Sequence, residues 1–478
     1  MRKLLAGIGS GLLLLGVPAN WAQENVSTAD LMKIIQEQNR KIDALTQRLQ
    51  GLESRQAPAA GGDTSQVKTV LMETNEALAA TNKRLDGLDK RLVLGKGIEG
   101  LKLTGDLRLR YEMRDQDFEN YAASETDSKE DRGRFRTRFR LGMVWQNPTE
   151  AWEIGAGLAT GGDDGRSTND TWGETNAFET GDIRLDYAYA KHKWDVIDGL
   201  PLSLCLGQQK NPFVTTYMLW DGDLRPTGVT LQLGDPKGKN YAGAFLTAGA
   251  YDVLWGPNLN KTATNDYDVY MLAAQAGYAF KSDPVNALAA VGIYHITPDS
   301  LYDVTGVSIK FATSPGLYNM GLAEDYGFDV VDLYLEATTS VAGIEVKPYV
   351  HGAMNLSADG DVSQQNLESG EKPDENDMAG LVGLSLKRGK WKLGYSYAYI
   401  GADAVFGPLK DSDFGETAGL MDTDIMGHKL GLSYNFTKNM NVGITGYLLD
   451  RINGGSDETA KNEADSTTCM QLDAVYKF

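Results

Sequence analysis

The amino-acid sequence predicts an all-β membrane fold, a 16-stranded antiparallel transmembrane β-barrel preceded by an N-terminal α-helical coiled coil. Three observations predict it. The hydrophobic period changes from 3.5 to 2 near Leu101, about sixteen alternating segments follow, and their connections are short and long by turns. A hydrophobic content of 42% excludes disorder throughout, and past residue 20 no apolar run is long enough for a membrane helix, so any spanning structure must be built of strands. The formal charge of -19 argues against nucleic acid as a partner, since phosphate binding needs a basic face.

In chain order, Met1-Arg2-Lys3, an apolar stretch from Leu4 to Val17 and a small-residue exit at Val17-Pro18-Ala19 or Asn20-Trp21-Ala22 give residues 1–22 the three regions of a secretory signal peptide. No cysteine stands near that exit to carry a lipid anchor. Residues 27–55 form the first predicted coiled-coil helix, because Leu31, Ile35, Gln38, Ile42, Leu45, Leu49 and Leu52 step by four and three. Residues 56–64, with Pro58, Gly61 and Gly62, are a helix-breaking linker. Residues 65–93 repeat the heptads through Val67, Leu71, Thr74, Leu78, Thr81, Leu85, Leu88 and Leu92. So narrow an apolar stripe needs partner chains, or a helical hairpin, to cover it.

The barrel is expected over 101–478. Its strands lie near 102–114, 133–146, 151–160, 180–193, 199–210, 226–234, 239–252, 266–280, 285–297, 327–340, 343–355, 377–388, 390–402, 424–437, 440–450 and 468–478. Along 133–147, Phe135, Thr137, Phe139, Leu141 and Met143 share one face and Arg134, Arg136, Arg138 and Arg140 the other; Ile183, Leu185, Tyr187 and Tyr189 are likewise set against Arg184 and Asp186. A soluble sandwich would also alternate, but seven short turns exchanging with eight long polar loops is the arrangement of a transmembrane barrel. Cys205 and Cys469 fall on distant strands, so no disulfide is expected, and the scattered His192, His295, His351 and His428 give no metal pattern. No cofactor is implied.

The final strand places Met470, Leu472, Ala474, Tyr476 and Phe478 on one face and ends on an aromatic residue. This resembles the C-terminal insertion signal of Gram-negative outer-membrane proteins, which implies that Tyr476 and Phe478 are read by the barrel-assembly machinery. With the signal peptide, the stalk and the opening strand Gly105-Asp106-Leu107-Arg108-Leu109-Arg110-Tyr111, the mature chain resembles outer-membrane porins that carry an N-terminal coiled coil. The segment Trp220 to Val229 is similar to one that such porins place after their third long loop. The resemblance implies a homotrimer, hence a three-chain stalk in the periplasm, with the barrel among outer-membrane lipid and lipopolysaccharide.

Sixteen strands enclose enough space for an aqueous channel. Arg108, Arg110, Arg134, Arg136, Arg138, Arg140 and Arg184 must face that interior, since at mid-membrane each would cost about 2–4 kcal/mol on the lipid side. They are expected to line a pore for passive diffusion of small hydrophilic solutes or ions, either favouring anions or setting a transverse field against an acidic wall of Asp332, Glu336 and Glu345. The third long loop, Asn211 to Arg225, is expected to fold inward as a constriction through Phe213, Tyr217, Trp220, Asp221, Asp223 and Arg225. The acidic first and sixth loops are either solvated or hold divalent cations that bridge lipopolysaccharide. The chain is not expected to be an enzyme; the competing readings are a sheath around a partner such as a multihaem cytochrome, and an outer-membrane hydrolase, for which no GxSxG is present.

Overall fold

The computed structural model describes residues 100–117, 132–147, 150–162, 165–174, 176–178, 180–197, 200–238, 241–255, 268–296, 328–358, 376–415, 423–452 and 466–478. The segments expected as signal peptide, coiled-coil helices and linker, and most of the acidic first and sixth loops, lie outside them. Among the described residues, seventeen strands form one sheet: β1 (Leu101–Asp117), β2 (Arg132–Gln146), β3 (Trp152–Thr160), β4 (Asp170–Thr171), β5 (Ile183–Ile197), β6 (Leu200–Gln208), β7 (Thr227–Leu233), β8 (Gly243–Trp255) and β9 (Asp268–Ser282) come first. Then follow β10 (Val285–Ile296), β11 (Phe328–Val341), β12 (Ile344–Asn355), β13 (Met378–Arg388), β14 (Trp391–Ile400), β15 (Ile425–Asn435), β16 (Met440–Arg451) and β17 (Ser466–Lys477).

Each long strand pairs antiparallel with its neighbours, and β17 returns to β1, where Asp106 faces Lys477 and Asp117 faces Ser466. The ring is closed, so no edge is left with unpaired backbone groups. Sixteen strands make the ring; the two-residue β4 pairs only with β2, beyond the end of β3. Phe478 completes the seam through a reciprocal pair of backbone hydrogen bonds with Gly105, at 2.9 and 3.0 Å. Its ring lies over Gly105, where any side chain would collide with it, and stacks on Phe139 at 6.2 Å.

Polarity is inverted relative to a soluble protein. Leu109, Leu158, Leu231, Leu246, Val291, Leu333, Val382, Leu430 and Leu472 are exposed on the outer face, a contiguous apolar surface far larger than water tolerates. Aromatic side chains gather at the end with the short turns: Trp152 and Trp194 flank His192 at 4.7 and 4.4 Å, and Trp391, Tyr434 and Phe436 form a run with centroids 4.7 and 5.0 Å apart. Tyr476 and Phe478 are exposed on the same outer face.

One stretch departs from simple alternation. A β-bulge at Gly157/Leu158 shifts the pairing of β3 with β5, so Ile183 and Leu185 point outward while Tyr187 and Tyr189 turn inward with Arg184. The expectation that all four apolar residues of β5 share one face is therefore corrected: the extra residue, Asp186, resets the parity. Gly155 and Gly157 leave room for the two tyrosine rings, into which a Cβ would intrude.

Cys205 and Cys469 are both free and buried on the inner face, on β6 and β17. Electrophoretic mobility of the unfolded chain is expected to be unchanged by reduction; a shift would contradict this pairing-free assignment.

Candidate functional site

The inner faces of β1 and β2 carry a continuous row of charge. Strict alternation puts Asp106, Arg108, Arg110, Glu112 and Arg114 on one side of β1, and the register sets Arg108 opposite Arg138, Arg110 opposite Arg136 and Glu112 opposite Arg134. Like charges abut across the strands, so the row stands only because carboxylates are threaded through it. Glu112, with its side chain 1% exposed, lies 2.6 Å from Arg134 and 3.6 Å from Arg136, and its second oxygen accepts from Gln471 at 3.1 Å. Asp106 accepts from Arg138 at 3.0 Å and from Arg140 at 2.8 Å. Asp473, on neighbouring β17, takes a bidentate pair from Arg110 at 2.8 and 3.0 Å.

Three loops fold inward onto this interior. The third loop runs from β6 across to β12 and β14. Phe213 packs edge-on against Tyr251 and Tyr294 at 6.1 and 5.4 Å, Gln275 exchanges hydrogen bonds with the Val214 backbone at 2.8 Å, and Tyr217 reaches Ser396 at 2.9 Å. Trp220 is buried beside Phe213. Thr216 bonds His351 Nδ1 at 2.8 Å, and His351 Nε2 bonds Asp332 at 2.9 Å, both of the latter side chains sealed from solvent. The loop's return arm meets the opposite wall, where Asp223 lies 3.4 Å from Arg140, and Arg225 pairs with Asp186 at 3.1 Å.

The second and seventh loops also turn inward. From the second loop, Ser167 accepts from Arg136 at 3.2 Å, Asn169 accepts from Arg108, the Ser167 backbone carbonyl accepts from Arg184 at 2.7 Å, and Thr168 donates to Asp223 at 2.8 Å. From the seventh, residues 401–415 bury Ala404, Val405, Phe406 and Phe414 in the same apolar cluster as Phe213 and Trp220. Backbone bonds join the seventh loop to the third: Asp221 N–H to Leu409 O at 2.6 Å, Asp411 N–H to Tyr217 O at 3.2 Å. Asp413 then reaches Arg110 at 3.2 Å, and the Gly415 carbonyl accepts from Arg114 at 2.6 Å. A sequence of alternating small and apolar residues, Gly401-Ala-Asp-Ala-Val-Phe-Gly-Pro, would have marked this segment as unsuited to open water.

Burial pushes the Asp221 carboxyl well above the usual range, reinforced by Asp411 and Asp223 beside it. Partial burial works against charge on Asp413, but Arg110, Lys429, Arg108 and Arg136 outweigh it and hold that carboxyl below the ordinary value.

The three carboxylates of the expected acidic wall occupy different surroundings. Asp332 is sealed under the third loop with His351, Glu336 pairs with Lys347 at 2.9 Å, and Glu345 is exposed near the β11–β12 turn. The carboxylates that touch the arginines are Asp106, Glu112 and Asp473 on the same wall, and Asp223 and Asp413 from the loops. Asp106, Glu112 and Asp473 share inward parity with the arginines, a signal the sequence holds; nothing in the sequence marks Asp413.

Residues 116–299 match the family described as Putative porin, so the resemblance drawn from the sequence extends to that stretch. No curated protein matches the chain. Among solved structures, the chain is similar to OprB of Pseudomonas putida at 14% identity over 83% of this chain and 96% of that one, TM-score 0.49. It is similar to the outer membrane channel DcaP of Acinetobacter baumannii at 13% over 79% and 97%, TM-score 0.44. An anion-selective porin from Comamonas acidovorans aligns at 13% over 79% and 99%, TM-score 0.40.

Proposed function

We propose that the chain is an outer-membrane channel for passive diffusion of small hydrophilic solutes or ions, with anions favoured. The observation that carries this is the inside-out polarity of a closed ring: leucines and valines face outward on nearly every strand, while Arg108, Arg110, Arg134, Arg136, Arg138 and Arg140 point into the interior. Such a cylinder suits a bilayer, with its apolar face against acyl chains. The constriction is formed by the third loop, whose Asp221, Asp223 and Arg225 stand between the packed apolar half of the interior and the arginine row. Threaded carboxylates reduce the row's net charge, so the preference for anions is modest rather than absolute.

The inward third loop weighs against a sheath around a cytochrome, which needs an unobstructed bore. The Thr216, His351 and Asp332 chain has the partners of a hydrolytic relay, but its His351 and Asp332 are sealed from solvent and it pins the loop to the wall. The N-terminal heptads are read as a periplasmic stalk of a homotrimer, the outer face as meeting lipid and lipopolysaccharide, and Tyr476 with Phe478 as the signal for the barrel-assembly machinery.

Purified full-length protein in a planar bilayer under a salt gradient is expected to give stepwise currents with a reversal potential on the anion side. Absence of current would overturn the channel reading. Replacing Arg136 and Arg138 together by alanine is expected to move the reversal potential towards cations; an unmoved potential would remove these arginines from the conducting path.

A further inference from the structure

The seventh loop presents Asp413 to a cationic recess between β15 and β1. Arg110 already has its Nε and one terminal nitrogen engaged by Asp473, and Asp413 takes the remaining nitrogen by a single bond at 3.2 Å, with Glu112 3.9 Å from that same nitrogen. The Asp413 backbone N–H donates to the Asp411 carboxylate at 2.8 Å and fixes the turn. Arg108 adjoins it on β1; it is bonded to the amide oxygen of Asn169 and, among the described residues, forms no ion pair with a carboxylate. Lys429 of β15, which lies over the Tyr217 ring at 4.4 Å and the Tyr447 ring at 5.0 Å, and Arg136 of β2 supply further positive charge. The Asp413 side chain keeps 30% of its surface exposed, against 5% for Arg110. The recess is therefore reachable from the open side of Asp413 while its cationic floor is not.

We propose that Arg108, Arg110, Arg136 and Lys429 form a binding site for a small carboxylate or phosphate anion, and that Asp413 is a built-in occupant which such a solute displaces. The inference rests on the channel reading given above and names the ligand chemistry of its charged wall. A carboxylate tethered by a short loop acts as a competitor at millimolar effective concentration, so it sets a threshold below which free anions pass without lodging. Because one charge-assisted bond holds it, exchange with a solute oxygen conserves the bond count at Arg110, and Asp473 keeps the other two guanidinium nitrogens paired throughout.

The test compares full-length wild type with Asp413→Asn in planar bilayers, with inorganic phosphate added to a chloride solution and the chloride current recorded. Asp413→Asn is expected to shift the reversal potential further towards anions and to lower the phosphate concentration that halves the chloride current by roughly tenfold, the loss expected for one charged hydrogen bond. Asp413→Glu, which keeps the charge, is expected to resemble wild type. Should Asp413→Asn fail to fold, judged by heat-modifiable migration on a gel, Lys429→Gln serves instead, with the half-blocking phosphate concentration raised. Current with an unchanged potential and an unchanged half-blocking concentration overturns the built-in occupant alone. Absence of current from wild type overturns the channel reading and this inference with it.

Discussion

Replacing Glu112 by alanine is expected to destabilise the barrel by about 3–5 kcal/mol, because the substitution strands the largely enclosed guanidinium groups that pair with it. Among the described residues Arg134 has its ion pair with Glu112 at 2.6 Å, Arg136 lies 3.6 Å from the same carboxylate, and Glu112 is 1% exposed. Water cannot take over from the carboxylate in so enclosed a place. Glutamine at the same position keeps an acceptor but not the charge and should lose roughly half as much. The measurement is the urea midpoint of the detergent-refolded protein followed by tryptophan fluorescence; a midpoint for the alanine variant equal to wild type would mean that the arginines are solvated and that the ion pairs are incidental.

Phe213→Ala is expected to raise single-channel conductance. The ring anchors the third loop to Tyr251, Tyr294 and Trp220, and removing a buried phenylalanine ring forfeits about 3–5 kcal/mol of packing. The backbone bonds to Gln275 and the Thr216 bond to His351 remain, so the loop should loosen rather than leave. A conductance identical to wild type, with the variant folded, would show that the constriction lies elsewhere.

The ring itself was legible in the sequence because the strand period is short and each strand repeats the same rule: an outward leucine or valine next to an inward polar residue, with a turn signal at each end. The arginine row followed from that parity on β1 and β2. The β5 tyrosines defeated it, since one extra residue at a bulge inverts every side chain beyond it and no local composition announces the insertion. The partner of Asp413 was hidden for another reason. Only the folded position shows Asp413 meeting Arg110, which stands 303 positions away in sequence. The carboxylates that temper the arginines were visible as letters but not as partners, because pairing across β17 and β1 depends on how the cylinder shuts.

Phe213, Met218, Trp220, Phe406 and Phe414 give the cylinder an oily filling on one side of its bore, packed against Tyr294, Phe328 and Ile400. An empty hoop would rely on the surrounding acyl chains to keep its shape; this one is braced from within, so exchange of bilayer for micelle should leave its cross-section unaltered.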